Sequence, residues 1–249
     1  QIELSPTTTT KPVEGIERCL KFEVFFNTIQ EPLVFEEEVM FGGEFGLTGH
    51  FRDRIKIPGH GNIECVSARD QLHTLRSCAR VECDKETGMA TARFKGDPFF
   101  GGSWLIGGNL DGYKKDNPNS SHDVIDILDF GMFAVEYTAD YGTGDTTCET
   151  EGPHADINGD GVVDMLDFSF LNMNFLVSSK DCLESCGEGA AAGVVGRVEV
   201  SLKELRQMGL SELSVADLNN DGLLNVADMT AFMEGAVPSK KAPVRGGIR

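Results

Sequence analysis

Apolar and polar residues alternate in short runs from Cys19 to about Gly108, and beyond that point the alternation gives way to helical spacing. Cys19 to Phe26 is the first strand-like run. In Leu33 to Phe41, Val34, Glu36, Glu38 and Met40 alternate with Phe35, Glu37 and Val39. Further runs cover Asp53 to Pro58, Ile63 to Arg69, Arg80 to Asp84, Ala90 to Lys95 and Trp104 to Ile106, with glycine or proline between them. About seven short strands at this spacing predict an antiparallel β-sandwich over residues 15–108. Asp70 to Cys78, with Leu72, Leu75 and Cys78, reads as a helical turn in their midst. Trp104 lies in an apolar run and is expected in the core.

Past Gly108 the apolar residues recur on helical faces. Phe130, Met132, Phe133, Val135 and Tyr137 form one such run, and Phe168, Phe170, Leu171, Met173, Phe175 and Leu176 a second. Helices this apolar must be covered on most sides, by each other, by the sandwich or by another subunit. Ser201-Leu202-Lys203-Glu204 has capping-box spacing and opens a third helix, which Gly209 ends. A fourth helix is expected from Val226 to Gly235, with Met229, Phe232 and Met233 on its apolar side.

Two of these helices follow a twelve-residue acidic loop. The first runs Asp156, Ile157, Asn158, Gly159, Asp160, Gly161, Val162, Val163, Asp164, Met165, Leu166, Asp167; the second runs from Asp217 to Asp228. Oxygen-bearing side chains stand at positions 1, 3, 5, 9 and 12, and glycine at 6, the spacing that wraps six or more oxygens around a hard cation. Position 7, Val162 or Leu223, contributes its backbone carbonyl, so its side chain is free to vary. Position 8, Val163 or Leu224, is apolar and expected beneath the loop. Asp164 and Asn225 at position 9 are placed to cap the outgoing helices. Both loops read as calcium sites.

An aspartate as last ligand, with an aliphatic residue before position 9, resembles the dockerin family. In that family paired calcium loop-helix units form a small helical module that docks onto a cohesin β-sandwich. The resemblance implies one ion on Asp156, Asn158, Asp160, Asp164 and Asp167, and another on Asp217, Asn219, Asp221, Asn225 and Asp228. It also implies a cohesin-like partner, although the partner-choosing positions 10 and 11 are Met165-Leu166 and Val226-Ala227, neither a small hydroxyl pair. The block with the Lys95 to Gly102 loop resembles β-sandwich modules that precede such units in large secreted bacterial proteins.

A third, degenerate unit precedes these two. Asp126 to Phe133 aligns with Asp164 to Leu171, and Tyr137 then matches Phe175. Upstream, Asn109-Leu110-Asp111-Gly112 looks like the start of a loop broken open by an insert from Tyr113 to about Asp123. Sequence alone leaves open whether Asn109, Asp111, Asp126 and Asp129 still hold an ion. The expected architecture is α+β: an extended tether over 1–14, the β-sandwich, tandem dockerin-like units over 109–180, and a linker over 181–198. An EF-hand-like helix-loop-helix over 199–237 and a basic tail over 238–249, with Lys240, Lys241, Arg245 and Arg249, complete it. The tether reads as a free tail or as a strand, Gln1 to Leu4, added to a neighbour's sheet edge.

Forty acidic against 22 basic residues give a formal charge of −18, a surface that repels nucleic acid and anionic lipid. No run of about 18 apolar residues is present to span a membrane. Gln1 is not a translation start, and the chain is expected to have been trimmed, as of an export signal. Seven cysteines without a C-x-x-C motif point to disulfides and an extracellular or cell-surface location. The expected pairings are Cys19 with Cys65, Cys78 with Cys83, and Cys148 with Cys182 or Cys186; the odd number leaves one thiol free or bonded to another chain.

Catalytic motifs are missing from the sequence: it has no H-E-x-x-H, G-x-S-x-G or Walker pattern, and no G-x-G-x-x-G between a strand and a helix. His50 and His60 lie in glycine-rich turns. Glu36 and Glu38 can share one face of a strand, as a glycosidase's two acids must, but no partner motif accompanies them. One tryptophan and three tyrosines give a sugar-binding face little support. The expected role is non-catalytic: a calcium-stabilised assembly protein that self-associates as a homo-oligomer or head-to-tail filament, or else a module docking onto a cohesin-like partner in a larger complex.

Overall fold

The computed structural model describes residues 2–3, 15–27, 29–42, 48–51, 63–70, 72–84, 86–96, 102–111, 124–152, 154–179 and 196–239. Alternation decides the first large element. In strand β2 (Ile16–Phe26) Leu20, Phe22, Val24 and Phe26 turn inward while Lys21, Glu23 and Phe25 are only half-buried, as the two-residue period of a strand requires. β2 pairs along its length with β3 (Ile29–Phe41), from Phe26 opposite Ile29 to Ile16 opposite Phe41. Its other edge takes β5 (Ile63–Asp70), which is followed outward by β6 (Ser77–Cys83) and β7 (Ala90–Ala92). Beyond β3 lie β4 (Thr48–Phe51) and the short β1 (Ile2–Glu3), giving the order β1-β4-β3-β2-β5-β6-β7, antiparallel throughout.

This arrangement corrects the expected α+β architecture of a β-sandwich followed by helical dockerin-like or EF-hand-like units. The protein is mostly sheet, five of the seven antiparallel strands forming a half-barrel, with a few short helices, and among the described residues no helical dockerin-like units are evident. The strand runs in the sequence are neighbours in one layer, two of them arms of a single long hairpin. Among the described residues the inner face is closed by Phe94 and Leu105, which pack with Leu20, Phe22, Val24, Val39 and Phe41. Asp53 to Pro58 lies outside the described residues, and Trp104 to Ile106 forms no strand. Asp70 to Cys78 opens with a single helical turn, Thr74 N–H donating to the Asp70 carbonyl four residues back at 3.2 Å, braced by the Asp70 carboxylate accepting from the Leu72 N–H and the Thr74 hydroxyl accepting from the Asp70 N–H; Ser77 and Cys78 already belong to β6. Ile2 and Glu3 pair with β4 of their own chain.

The C-terminal half forms a second core. Helices α1 (Ile127–Glu136), α2 (Met165–Met173), α3 (Leu202–Gln207) and α4 (Val226–Met233), with a 3-10 helix at Ser211–Ala216, surround a cluster that includes Phe130, Phe133, Phe168 and Phe232. Phe232 of α4 reaches Tyr137 at 4.9 Å, Phe168 at 4.8 Å and Phe133 at 5.4 Å, edge or tilted contacts that aromatic rings favour. The third helix begins on the capping box of Ser201 and Glu204 that its sequence specifies, and Gly209 follows with a positive φ of 76°. No helix among the described residues is long and apolar enough to cross a membrane.

Candidate metal centres

In the first complete loop the position-1 carboxylate organises the backbone. Asp156 Oδ1 accepts from the N–H groups of Gly159 (2.9 Å) and Asp160 (3.1 Å), and Oδ2 from that of Gly161 (2.8 Å). Asn158 Oδ1 accepts from Asp160 N–H, and Asp160 Oδ1 from Val162 N–H. The last aspartate closes the loop: Asp167 Oδ1 accepts from Asn158 N–H and Oδ2 from Asp164 N–H, while Asp164 caps α2 through Leu166 N–H. Asp156, Asn158 and Asp167 are buried, and Val163 is buried in the helical core.

The second loop repeats this pattern. Asp217 accepts from Asp221 and Gly222 N–H, Asn219 from Asp221 N–H, and Asp221 from Leu223 N–H. Asp228 accepts from Leu218 and Asn219 N–H with Oδ1 and from Asn225 N–H with Oδ2, and Asn225 caps α4 through Ala227 N–H. Leu224 is buried below. Here β9 (Leu223–Asn225) pairs with β8 (Glu199–Ser201).

The donor set suits a hard divalent cation. It is made of oxygen alone, and each carboxylate has lone pairs beyond those its backbone bonds use. Burial pushes the Asp167 carboxyl up to about 7, and the nearby Asp156 and Asp160 charges add to the rise. Burial likewise raises Asp156, against the pull of Arg18, and Asp228. Acids crowded in this way favour protonation until a cation takes the proton's place.

The segment from Asn109 to Asp129 carries the ends of the same circuit. Asp129 Oδ1 accepts from Leu110 (2.6 Å) and Asp111 (2.9 Å) N–H, Oδ2 from Asp126 N–H, and Asp126 caps α1 through Leu128 N–H. Residues 112–123, the expected insert, lie outside the described residues. This unit and the first complete loop grip one another reciprocally. Val124 bridges Ser178 beyond α2, and Val162 bridges Asp140 beyond α1. Thr138 and Leu176, which precede those bridging segments at matching places, both take a positive φ, 68° and 65°.

The sheet braces the first complete loop by contacts that no local pattern announces. Arg18 of β2, buried, donates to the carbonyls of Gly144 (3.1 Å) and Asp156 (3.3 Å), meets His73 Nε2 at 2.9 Å and stands 3.9 Å from Asp70. An arginine only donates, so His73 accepts through Nε2 and carries its proton on Nδ1. Burial, with Arg18 and His154 adding, holds His73 well below the usual imidazole range. His154 stacks on Tyr141 at 3.8 Å, and the Tyr141 hydroxyl donates to Glu136, which also accepts from Ala155 N–H. Thr146 N–H donates to the Glu17 carbonyl beside a Cys19–Cys148 disulfide.

That disulfide overturns the expected Cys19–Cys65 pairing and the expected closure of Cys148 onto Cys182 or Cys186. Cys83 is a free, exposed thiol, so it does not pair with Cys78; Cys65 and Cys78 are both disulfide-bonded, and Cys182 and Cys186 lie outside the described residues. Spacing in sequence misled because β2 is central in the sheet and its Cys19 faces the returning loop. Glu36 lies close to the Cys19 and Cys148 sulfurs, but those are spent in the S–S bond and offer no thiolate to a metal. Glu36 and Glu38 sit on β3 opposite Lys21 and Cys19. Trp104 is half-buried and lines a groove of about 390 Å³ with Arg76, Arg80, Arg93 and Lys95, not the core; its neighbour Leu105 takes the core position. His50 belongs to β4, and His60 lies outside the described residues. No protein-family model matches this chain, and no curated protein or solved structure matches it.

Proposed function

We propose that this chain is an exported, non-catalytic structural protein that binds calcium in its two complete loops and assembles with further copies of itself. The observation that carries the reading is a pair of exposed apolar stripes on helices whose first turns are made of loop residues. Along α2 and just past it, Met165, Leu166, Met173 and Leu176 are 44, 50, 56 and 46% exposed; along α4, Val226 and Met233 are 47 and 52% exposed, and Val237 beyond its end 64%. Within each helix Leu166 and Met173, and Val226 and Met233, stand seven residues, two turns, apart and so share a face, and large apolar side chains grouped in water mark a surface that another molecule covers.

Asp156, Asn158, Asp160, Asp164 and Asp167, with the Val162 carbonyl, would hold one ion; Asp217, Asn219, Asp221, Asn225 and Asp228, with the Leu223 carbonyl, the other. A bound ion neutralises the clustered carboxylates. The residues do the rest: position 9 caps the helix and position 12 closes the capping box, so a loop held in shape also holds the start of its stripe. The disulfide supports an oxidising compartment, where calcium at extracellular concentrations fills sites of modest affinity.

The alternative is that the stripes, which begin at positions 10 and 11, seat a distinct cohesin-like protein in a larger extracellular complex. Sizing and electron microscopy of the full chain, with calcium and with chelator, test the proposal. Oligomers or filaments that form with calcium and disperse in chelator are expected. A monodisperse monomer under both conditions removes self-assembly, and a distinct protein co-purifying in fixed ratio from the native extract favours the alternative.

A further inference from the structure

Resting on the reading that the complete loops hold calcium, we propose that the split loop of Asn109, Asp111, Asp126 and Asp129 is a third divalent-cation site. Its two ends close as the complete loops do. Asp129 grips the N–H groups of Leu110, Asp111 and Asp126 in the way Asp228 grips those of Leu218, Asn219 and Asn225. Asn109 therefore occupies position 1, the place of Asp156 and Asp217, whose carboxylates turn into their loops to meet the position-6 N–H.

The second observation is the Asn109 side chain itself. It is 2% exposed, and its Oδ1 has no hydrogen-bond partner. A buried carbonyl oxygen without a donor is uncommon in a folded protein and calls for a water or an ion. Its backbone is fixed, the N–H donating to the His73 carbonyl at 3.1 Å, which holds the residue at position 1. Asp111 and Asp126 lie within electrostatic reach of Asp129. The side chains on offer are an amide and carboxylates, Asp126 also accepting from Arg197 N–H through Oδ2; oxygen donors with no nitrogen or sulfur favour a hard ion such as calcium over zinc.

With an amide at position 1, this site binds calcium more weakly than the first complete loop, which has four aspartates. Ligand charge is one of the terms that set affinity in such loops. The ion would tie Leu110 and Asp111 to the first turn of α1, the helix whose exit segment pairs with the first complete loop.

The test is a calcium titration of the chelator-stripped full chain by calorimetry, with a count of ions retained at saturation. Three ions are expected, the split loop not the tightest. Asn109→Asp restores the position-1 carboxylate of the complete loops and should tighten that site by about tenfold, leaving the other two unchanged. Asn109→Leu should lower the count to two. Two ions in the unaltered chain, with no affinity changed in Asn109→Asp, overturn the third site and leave the complete loops standing. Three ions retained in Asn109→Leu overturn the assignment to these residues. No ions at all remove the reading of the complete loops as well. If Asn109→Leu does not fold, the Asn109→Asp titration still decides.

Discussion

The guanidinium of Arg18 donates to the backbone carbonyl of Asp156, the first residue of the first complete loop, at 3.3 Å. A single buried cation on β2 thus joins the sheet to the loop, while facing Asp70 and His73 from β5 and the turn after it. The sheet accordingly acts as the wall against which that loop is shaped.

Replacing Arg18 by Met keeps the apolar bulk and removes the charge. Asp70 is then left buried without its cation, and the carbonyls of Gly144 and Asp156 lose a donor. A loss of roughly 3–5 kcal/mol is expected, read from urea unfolding in calcium buffer. Arg18→Lys should recover only part of it, because one ammonium cannot span partners on three segments.

The position-6 glycines separate two effects. Both have a positive φ, 92° at Gly161 and 87° at Gly222, but a Cβ on Gly161 would stand 1.9 Å from the Gly142 carbonyl oxygen, whereas one on Gly222 meets nothing within 4 Å. Gly222→Ala should cost about 1–2 kcal/mol, the left-handed strain alone. Gly161→Ala should cost clearly more, since a backbone segment must move; comparing their thermal midpoints checks this. The first loop therefore needs its glycine on two counts, conformation and the close approach of the neighbouring segment, while conformation alone requires it in the second.

Removing the Cys19–Cys148 bridge, which spans 129 residues of sequence, should cost about 2–5 kcal/mol. The Cys19→Ala, Cys148→Ala chain should also bind calcium more weakly in the first loop than in the second, because only the first is anchored to β2. Calorimetry on the two forms measures both effects.

What was legible in the sequence is what is local. The two complete loops, their caps at Asp164 and Asn225 and the Ser201 capping box depend on residues within a dozen positions of each other, and the alignment of Asp126 to Phe133 with Asp164 to Leu171 anticipated two units that the structure joins reciprocally. Layering was not legible. The alternation in β2 and β3 states that one face is buried but not what covers it, so the strands of a single curved sheet were read as the two layers of a sandwich. Arg18, His73, Tyr141 and His154 carry no motif; they meet only because β2, the turn after β5 and the segment before Asp156 converge. The cysteine pairings failed for the same reason.

Burial holds the Asp70 carboxyl at about 6, against Arg18 and above its ordinary 3.8. A carboxyl raised in the fold contributes stability that is full below pH 3.8 and lost as pH rises through about 6, on the order of 3 kcal/mol for two units. His154, held down to about 4 by burial and by Arg18, runs the other way: its contribution is full above 6.5 and lost as pH falls through about 4. Asp70→Asn removes the first slope and leaves the second. Urea midpoints should therefore rise more steeply with pH in the variant than in the unaltered chain across this window; equal slopes would show that Asp70 does not titrate there.

The central claim is that the loops from Asp156 and Asp217 are held by calcium, and thermal unfolding of the full chain with saturating calcium against excess chelator tests it most directly. At a hundredfold excess over Kd each site should add about 2.7 kcal/mol, so the midpoint should rise by roughly 5–10 °C per site, with Asp160→Ala and Asp221→Ala each abolishing one share. An identical midpoint in calcium and chelator, with no ion retained on the protein, would contradict the account.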